Sequence, residues 1–255
     1  MESGLLQMEA LLRQVSRSFY LTLRILPRSV RPQLSCAYLL ARASDTVADT
    51  DLVDAERRQA ALLQLRESIH EACAGRDSAL PEFRELADAR HVIAGRGTPA
   101  ERELIANVGR ALEALRRFPQ GDRLEVQRVL EKITRGQQLD LLRFGEASAE
   151  RIATLPSDGD LDEYIYCVAG CVGEFWTRIC RAHVFPSAPL DEKALLDKAV
   201  RFGKGLQLVN ILRDLPLDLR QGRCYIPADR LADHGLKAPE LLDAASMRRF
   251  RPLYE

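Results

Sequence analysis

The chain has 255 residues, enough for one large domain or two small ones with a sizeable core. Hydrophobic residues make up 46% and charged residues 29%, and 37 basic side chains balance 37 acidic ones, so no global charge points to nucleic acid. No apolar run approaches the ~18 residues of a membrane span, and the first ten residues lack a signal peptide's basic start and apolar run, so a cytoplasmic protein is expected.

Helical patterning dominates, and no segment alternates convincingly as a strand. The predicted helices cover 4–25, 32–50, 54–74, 81–94, 99–117, 122–144, 160–183, 190–219 and 239–251. Residues 1–44 carry Arg13, Arg17, Arg24, Arg28, Arg31 and Arg42 against Glu2 and Glu9. That cationic zone suits an anionic ligand, an anionic membrane surface or a plain solvated helix face. Pro32, Pro81 and Pro99 sit where a first helical turn tolerates proline. Asp54, Asp122 and Asp160 can cap or charge helix starts, and Gly75, Gly95 and Gly145 can close helices. Residues 155–160 read as a loop. With no repeat and no long linker, one all-α domain over 1–255 is expected. The last helix has no stop signal before Glu255, so the native chain is expected to continue.

The six cysteines form no C-x-x-C pair, and reduced thiols are expected. Cys167 and Cys171 lie one turn apart and read as small packing residues. The four histidines form no zinc signature.

Two helices carry polar stripes on largely apolar backgrounds. On 32–50 the larger polar groups are Tyr38, Arg42, Asp45 and Asp49, which fall within roughly 60° of arc. Taken alone, that stripe equally suits an ordinary solvated amphipathic face. If the face is buried, two carboxylates one turn apart need a counter-charge. Mg²⁺ supplies one and usually keeps waters and a substrate phosphate in its shell. Arg42 can offer a phosphate its fork of donors. On 190–219 the residues Gln207, Asn210, Asp214 and Asp218 step by three, four and four, repeating the design with hard oxygen ligands. Two such stripes face to face would wall a negative cavity. Pro216, between the aspartates, predicts a kinked or loosened last turn. The turn at Gln221-Gly222-Arg223 can swing Arg223 toward the same phosphates.

At these residues the chain resembles the squalene/phytoene synthase family. Arg42-Ala-Ser-Asp45-Thr-Val-Ala-Asp49 is similar to its first aspartate motif. Gln207-Leu-Val-Asn210-Ile-Leu-Arg213-Asp214-Leu-Pro-Leu-Asp218, followed by Gly222-Arg223 and Tyr225-Ile226-Pro227, is similar to its second. Ser16-Arg17-Ser18-Phe19 is similar to an N-terminal block, and Tyr164-Ile-Tyr-Cys-Val-Ala-Gly170-Cys-Val-Gly173 to a tyrosine-bearing helix. The blocks run from residue 16 to 227 in family order. Ala48 and Leu217 stand where many members have glutamate, and the denser Asp-Asp-x-x-Asp of head-to-tail synthases is missing.

The resemblance implies an all-α helical bundle of isoprenoid-synthase type around a central cavity that takes two prenyl diphosphates. It implies Mg²⁺ held by Asp45, Asp49, Asn210, Asp214 and Asp218. Arg17, Arg42, Arg213 and Arg223 would hold the diphosphates, with Tyr38 and Gln207 beside them and Tyr164 as the active-site tyrosine. Tyr38, Gln207 and Tyr164 equally suit packing roles. One diphosphate departs, the second substrate's double bond attacks the allylic cation, and proton loss gives a cyclopropyl diphosphate. The expected product is squalene from two farnesyl diphosphates, through presqualene diphosphate and reduction by NADPH. Phytoene, dehydrosqualene or presqualene diphosphate are the alternatives, and a non-catalytic binding or assembly relative is the remote one. Gly203-Lys204-Gly205 lacks the third glycine of a dinucleotide fingerprint. A monomer is expected, touching the inner face of a membrane at most peripherally.

Overall fold

The computed structural model describes residues 11–13, 15, 19–48, 55–77 and 99–253. Arg17, Asp49, Asp54 and the predicted helix 81–94 with its flanking Gly95 lie outside the described residues. The described elements are helices α1 (Phe19–Ile25), α2 (Arg31–Ala48), α3 (Ala55–Cys73), α4 (Pro99–Ala106), α5 (Val108–Arg116) and α6 (Gln120–Phe144). Strand β1 (Ala153–Thr154), helix α7 (Asp158–Ile165), a π-helical turn (Tyr166–Gly170), α8 (Cys171–His183) and α9 (Glu192–Arg220) follow. Strand β2 (Arg223–Cys224) and α10 (Ala228–Asp233) lead to 3₁₀ turns around α11 (Met247–Phe250). The fold is all-α, as the sequence patterning requires. No helix among the described residues is long and apolar enough to cross a membrane, and all six cysteines are free thiols.

Local chemistry explains the departures from the predicted boundaries. The helix at 99–117 breaks at Asn107, whose side-chain amide donates to the Glu103 carbonyl (2.7 Å) and competes with the helical ladder. Helix α7 starts before Asp160 because Ser157 is the cap. The Ser157 hydroxyl accepts from the Asp160 backbone N–H (3.3 Å) and donates to the Asp160 carboxylate (2.6 Å). Helix α9 runs unbroken through Pro216, correcting the expected loosened turn. Pro216 lies on the exposed side of the helix, where a missing helical hydrogen bond is least costly. The predicted 239–251 helix is instead a chain of short turns. Asp243 holds extended backbone there, and its carboxylate accepts from the Ala245 N–H (2.9 Å).

The two short strands, unforeseen in the sequence, pair in parallel, Ala153 with Arg223 and Thr154 with Cys224. Gly222 makes this possible. Its φ is +84°, and a Cβ there would lie 2.4 Å from the Ser148 backbone. Arg223 and Tyr225 follow directly.

Two apolar clusters organise the interior. One joins α2, α3, α5, α6 and α8, with Leu40, Leu62, Leu65, Leu115 and Leu130 fully buried. The other joins the end of α6 to α7, α9, β2 and α10 through Leu155, Ile211, Leu219 and Leu231. Helix α6 packs against α2, α3, α8 and the π turn.

Asp122 proves to be more than a helix-start charge. It is 5% exposed and binds two helices: Gln33 Nε2 of α2 donates to it (2.8 Å), and His183 Nε2 of α8 lies 2.7 Å away. This clasp ties one end of α2, α6 and α8 together. Asp122→Ala would leave both partners without their acceptor inside the protein. It is expected to destabilise the fold by about 2–3 kcal/mol, read from urea unfolding, with Asp122→Asn losing less. An unchanged midpoint for Asp122→Ala would remove the clasp from the account.

Candidate active site

A polar chamber of about 370 Å³ lies at the seam between the two apolar clusters. Helix α2 contributes Asp45, α6 contributes Gln137 and Asp140, and α7 contributes Tyr164. Helix α9 lines it with Gln207, Asn210, Asp214 and Asp218, and β2 and the residue after it add Arg223 and Tyr225. The steps of three and four along α9 put these four on one face, because the helix continues through Pro216. A second, apolar chamber of about 190 Å³ adjoins the first. Asp45, Gln137 and Val168 line both.

The chamber's electrostatics are those of crowded carboxylates. Burial, and then the neighbouring charge of Asp214, push the Asp218 carboxyl up to about 6, with Asp140 adding to the effect and Arg223 opposing it. Asp214 is held below its ordinary range, chiefly by hydrogen bonds from the adjacent Arg213 (2.8 and 2.6 Å). Asp140 accepts from the Tyr225 hydroxyl (2.7 Å) and pairs with Arg223 (3.4 Å). Tyr225 stacks on Tyr164 with ring centroids 4.7 Å apart. Burial, and next the Asp140 charge, raise the Tyr164 pKa, so this tyrosine presents a neutral hydroxyl at physiological pH.

Asp45 and the α9 stripe line the same chamber, but the rest of the α2 stripe divides. Asp45 accepts a close hydrogen bond from Gln137 Nε2. Tyr38 lines the apolar chamber and stacks on Phe19 (4.9 Å). Arg42 donates to Glu101 of α4 (3.0 Å) and is not among the lining residues. Arg213 is likewise not among the lining residues: its side chain is 66% exposed and bonded to Asp214. Gln207 and Asn210 lie side by side, with Asn210 Nδ2 donating to Gln207 Oε1 (3.4 Å).

Three lining residues escaped the sequence reading. Gln137 and Asp140 stand three apart on α6, a signal that was present but submerged in a highly charged helix. Tyr225 lay inside a noted block without an assigned partner, because its partner Asp140 is 85 residues away.

The donors fit a hard cation. All are carboxylate or amide oxygens, Asp218 is destabilised as an anion by its surroundings, and the Gln137 carbonyl oxygen is buried without a partner. Among the described residues no three acidic, histidine or cysteine side chains form a complete ion site. Of the glycine pair on α9, Gly203 is pressed against the Ala169 backbone and closed to a ligand.

The squalene/phytoene synthase family matches residues 12–255. The bifunctional lycopene cyclase/phytoene synthase of Sporisorium reilianum is 29% identical over 254 residues, covering 86% of this chain and 36% of that protein. The protein of the same name from Blakeslea trispora is 29% identical over 221 residues, 85% of this chain and 31% of its own length. The chain thus spans about a third of these relatives. Among solved structures, a ligand complex of TcSQS superposes with a TM-score of 0.71 at 23% identity, covering 97% of this chain and 64% of that one. Squalene synthase HpnC from Alicyclobacillus acidocaldarius gives 0.64 at 20% identity, covering 98% and 77%. At these identities the structures establish a shared fold.

Proposed function

Since the chain belongs to the squalene/phytoene synthase family, we propose that it joins two prenyl diphosphates head to head in these paired chambers. The observation that carries this reading is the junction itself. A carboxylate-walled chamber that asks for cations shares Asp45, Gln137 and Val168 with an adjoining apolar chamber that suits a hydrocarbon tail.

Asp45, Asn210, Asp214 and Asp218, with Asp49 outside the described residues, would hold Mg²⁺. Bound there with the diphosphates, the metal would supply the positive charge that stabilises the leaving group. Arg223 is placed to turn from Asp140 to a departing diphosphate. Arg17, Arg42 and Arg213 remain proposed diphosphate ligands that would have to close on the substrate, as Arg42 and Arg213 are engaged elsewhere. The neutral Tyr164 hydroxyl, fixed by its stack on Tyr225, presents lone pairs rather than a full charge to a nearby cation. Val168, Val172 and Phe175 keep water from the tail beyond.

Farnesyl diphosphate is the proposed substrate and squalene the product, with NADPH as the reductant. The names of the curated relatives favour a second reading, phytoene from geranylgeranyl diphosphate. Incubation with each diphosphate and Mg²⁺, with and without NADPH, followed by lipid analysis, decides between them. Squalene from farnesyl diphosphate only when NADPH is present is the expected outcome. Efficient phytoene formation with no squalene at any NADPH level would overturn it.

A further inference from the structure

Gln137 of α6 is buried but only half satisfied. It is 7% exposed and lines both chambers. One turn before it Ile133 lines the apolar chamber, and one turn after it Leu141 lines the polar one. Its Nε2 donates to Asp45 of α2. An ionised carboxylate only accepts, so this bond fixes which end of the amide meets Asp45. The other end, Oε1, is buried and has no hydrogen-bond partner among the described residues. An acceptor in that state carries its desolvation cost uncompensated. The backbone beneath is fixed too. A Cβ on Gly136 would lie 2.9 Å from Cys167 Cβ and 3.0 Å from Val168 Cγ1, so α6 and the π turn meet there too closely for a side chain. Gln137 reaches Asp45 from a rigid crossing rather than from a loop.

For stability alone, a methionine would fill the space between Ile133 and Leu141 without an orphaned oxygen. An amide buried with one side unsatisfied is a local inconsistency of the kind found where function sets the residue. Resting on the metal–diphosphate reading above, we infer that Gln137 is a positioning residue for Asp45. Its Nε2–H holds the carboxylate at the polar chamber in readiness for a divalent cation, as hydrogen-bond partners behind a metal's ligands do. Three residues on, Asp140 of the same helix holds Arg223 and Tyr225. Helix α6 thereby places Asp45 on one side of the polar chamber and Arg223 on the other from a single frame.

Mn²⁺ serves as a probe because, like Mg²⁺, it suits carboxylate, carbonyl and water oxygens. Titrated into the unmodified protein with inorganic diphosphate, it should bind saturably, read from the loss of its free-ion EPR signal against a protein-free blank. Gln137→Met should weaken that binding by about 10-fold or more while its melting temperature holds or rises. Gln137→Asn keeps the amide but is one methylene too short for Asp45, and should weaken binding as much. Gln138→Met is the control. Gln138 accepts from Arg66 (3.2 Å) and is not among the residues lining either chamber, so Mn²⁺ binding should not change. In turnover, the Gln137→Met defect should be largest at limiting Mg²⁺ and shrink at saturating Mg²⁺. A merely structural glutamine would lower the melting temperature and leave the Mn²⁺ affinity of the folded variants unchanged, and that result would overturn the inference. An equal loss in Gln138→Met would overturn it too. If the unmodified protein binds no Mn²⁺, the metal reading of the site fails and the inference with it. If it binds Mn²⁺ and both Gln137 variants bind it equally well, the inference alone fails.

Discussion

Asp214→Asn is expected to lower diphosphate release by about 10²–10³-fold while leaving the helical circular dichroism and the melting temperature nearly unchanged. The two halves of this expectation come from different features of the residue. Asp214 lines the polar chamber, yet its side chain is 41% exposed and pairs with the neighbouring, exposed Arg213. An exposed pair of that kind contributes little to stability. Its carboxylate charge has a clearer use across the chamber from Asp45, beside an Asp218 already strained as an anion. Asp45→Asn should be equally inactive but less clean, because it also disturbs the partly buried hydrogen bond from Gln137. Release of diphosphate is the quantity to follow, at saturating and at limiting Mg²⁺. Near-full activity of Asp214→Asn at limiting metal would remove the α9 stripe from the chemistry.

The α9 half of this site was legible because its logic is local. Gln207, Asn210, Asp214 and Asp218 need only one helix and its period, and Asp45 stood out for the same reason. What the sequence could not convey is which way a long side chain turns. Arg42 sits one turn before Asp45, but Glu101 on another helix draws it off. Tyr38 shares the stripe, but Phe19 stacks on it within the apolar chamber. Asp140 and Tyr225 define the back of the polar chamber only when α6 and the β2 turn meet, an event with no local signature. The fold class followed from periodicity. Its interruptions at Asn107 and at the Tyr166–Gly170 π turn did not, since each depends on single side-chain bonds or on packing against α9.

Gly203→Ala is expected to damage both stability and activity, although a glycine-to-alanine change in mid-helix is ordinarily favourable. The reason is how closely α9 crosses the π turn. A Cβ on Gly203 would lie 2.4 Å from the Ala169 carbonyl oxygen and 2.9 Å from its carbon. These are backbone atoms that cannot rotate away. A similar approach one turn earlier along α9 brings the Ala199 carbonyl within 2.2 Å of a Cβ on Gly173. The helices must therefore separate, at a cost of about 1–3 kcal/mol, with a fall in melting temperature of about 2–4 °C for each kcal/mol. Gln207 and Asn210 lie one and two turns beyond the crossing, so the same separation draws them away from Tyr164 and Asp45. A displacement on the order of 1 Å in such a site can cost about 100-fold in rate. Gly205→Ala is the matched control: it has nothing within 4 Å of its Cβ, lies on the same helix and should gain about 0.5–1 kcal/mol from helix propensity alone. Thermal melts and diphosphate release from both variants make the comparison. If Gly203→Ala proves as stable and as active as Gly205→Ala, the close crossing does not set the spacing of the site.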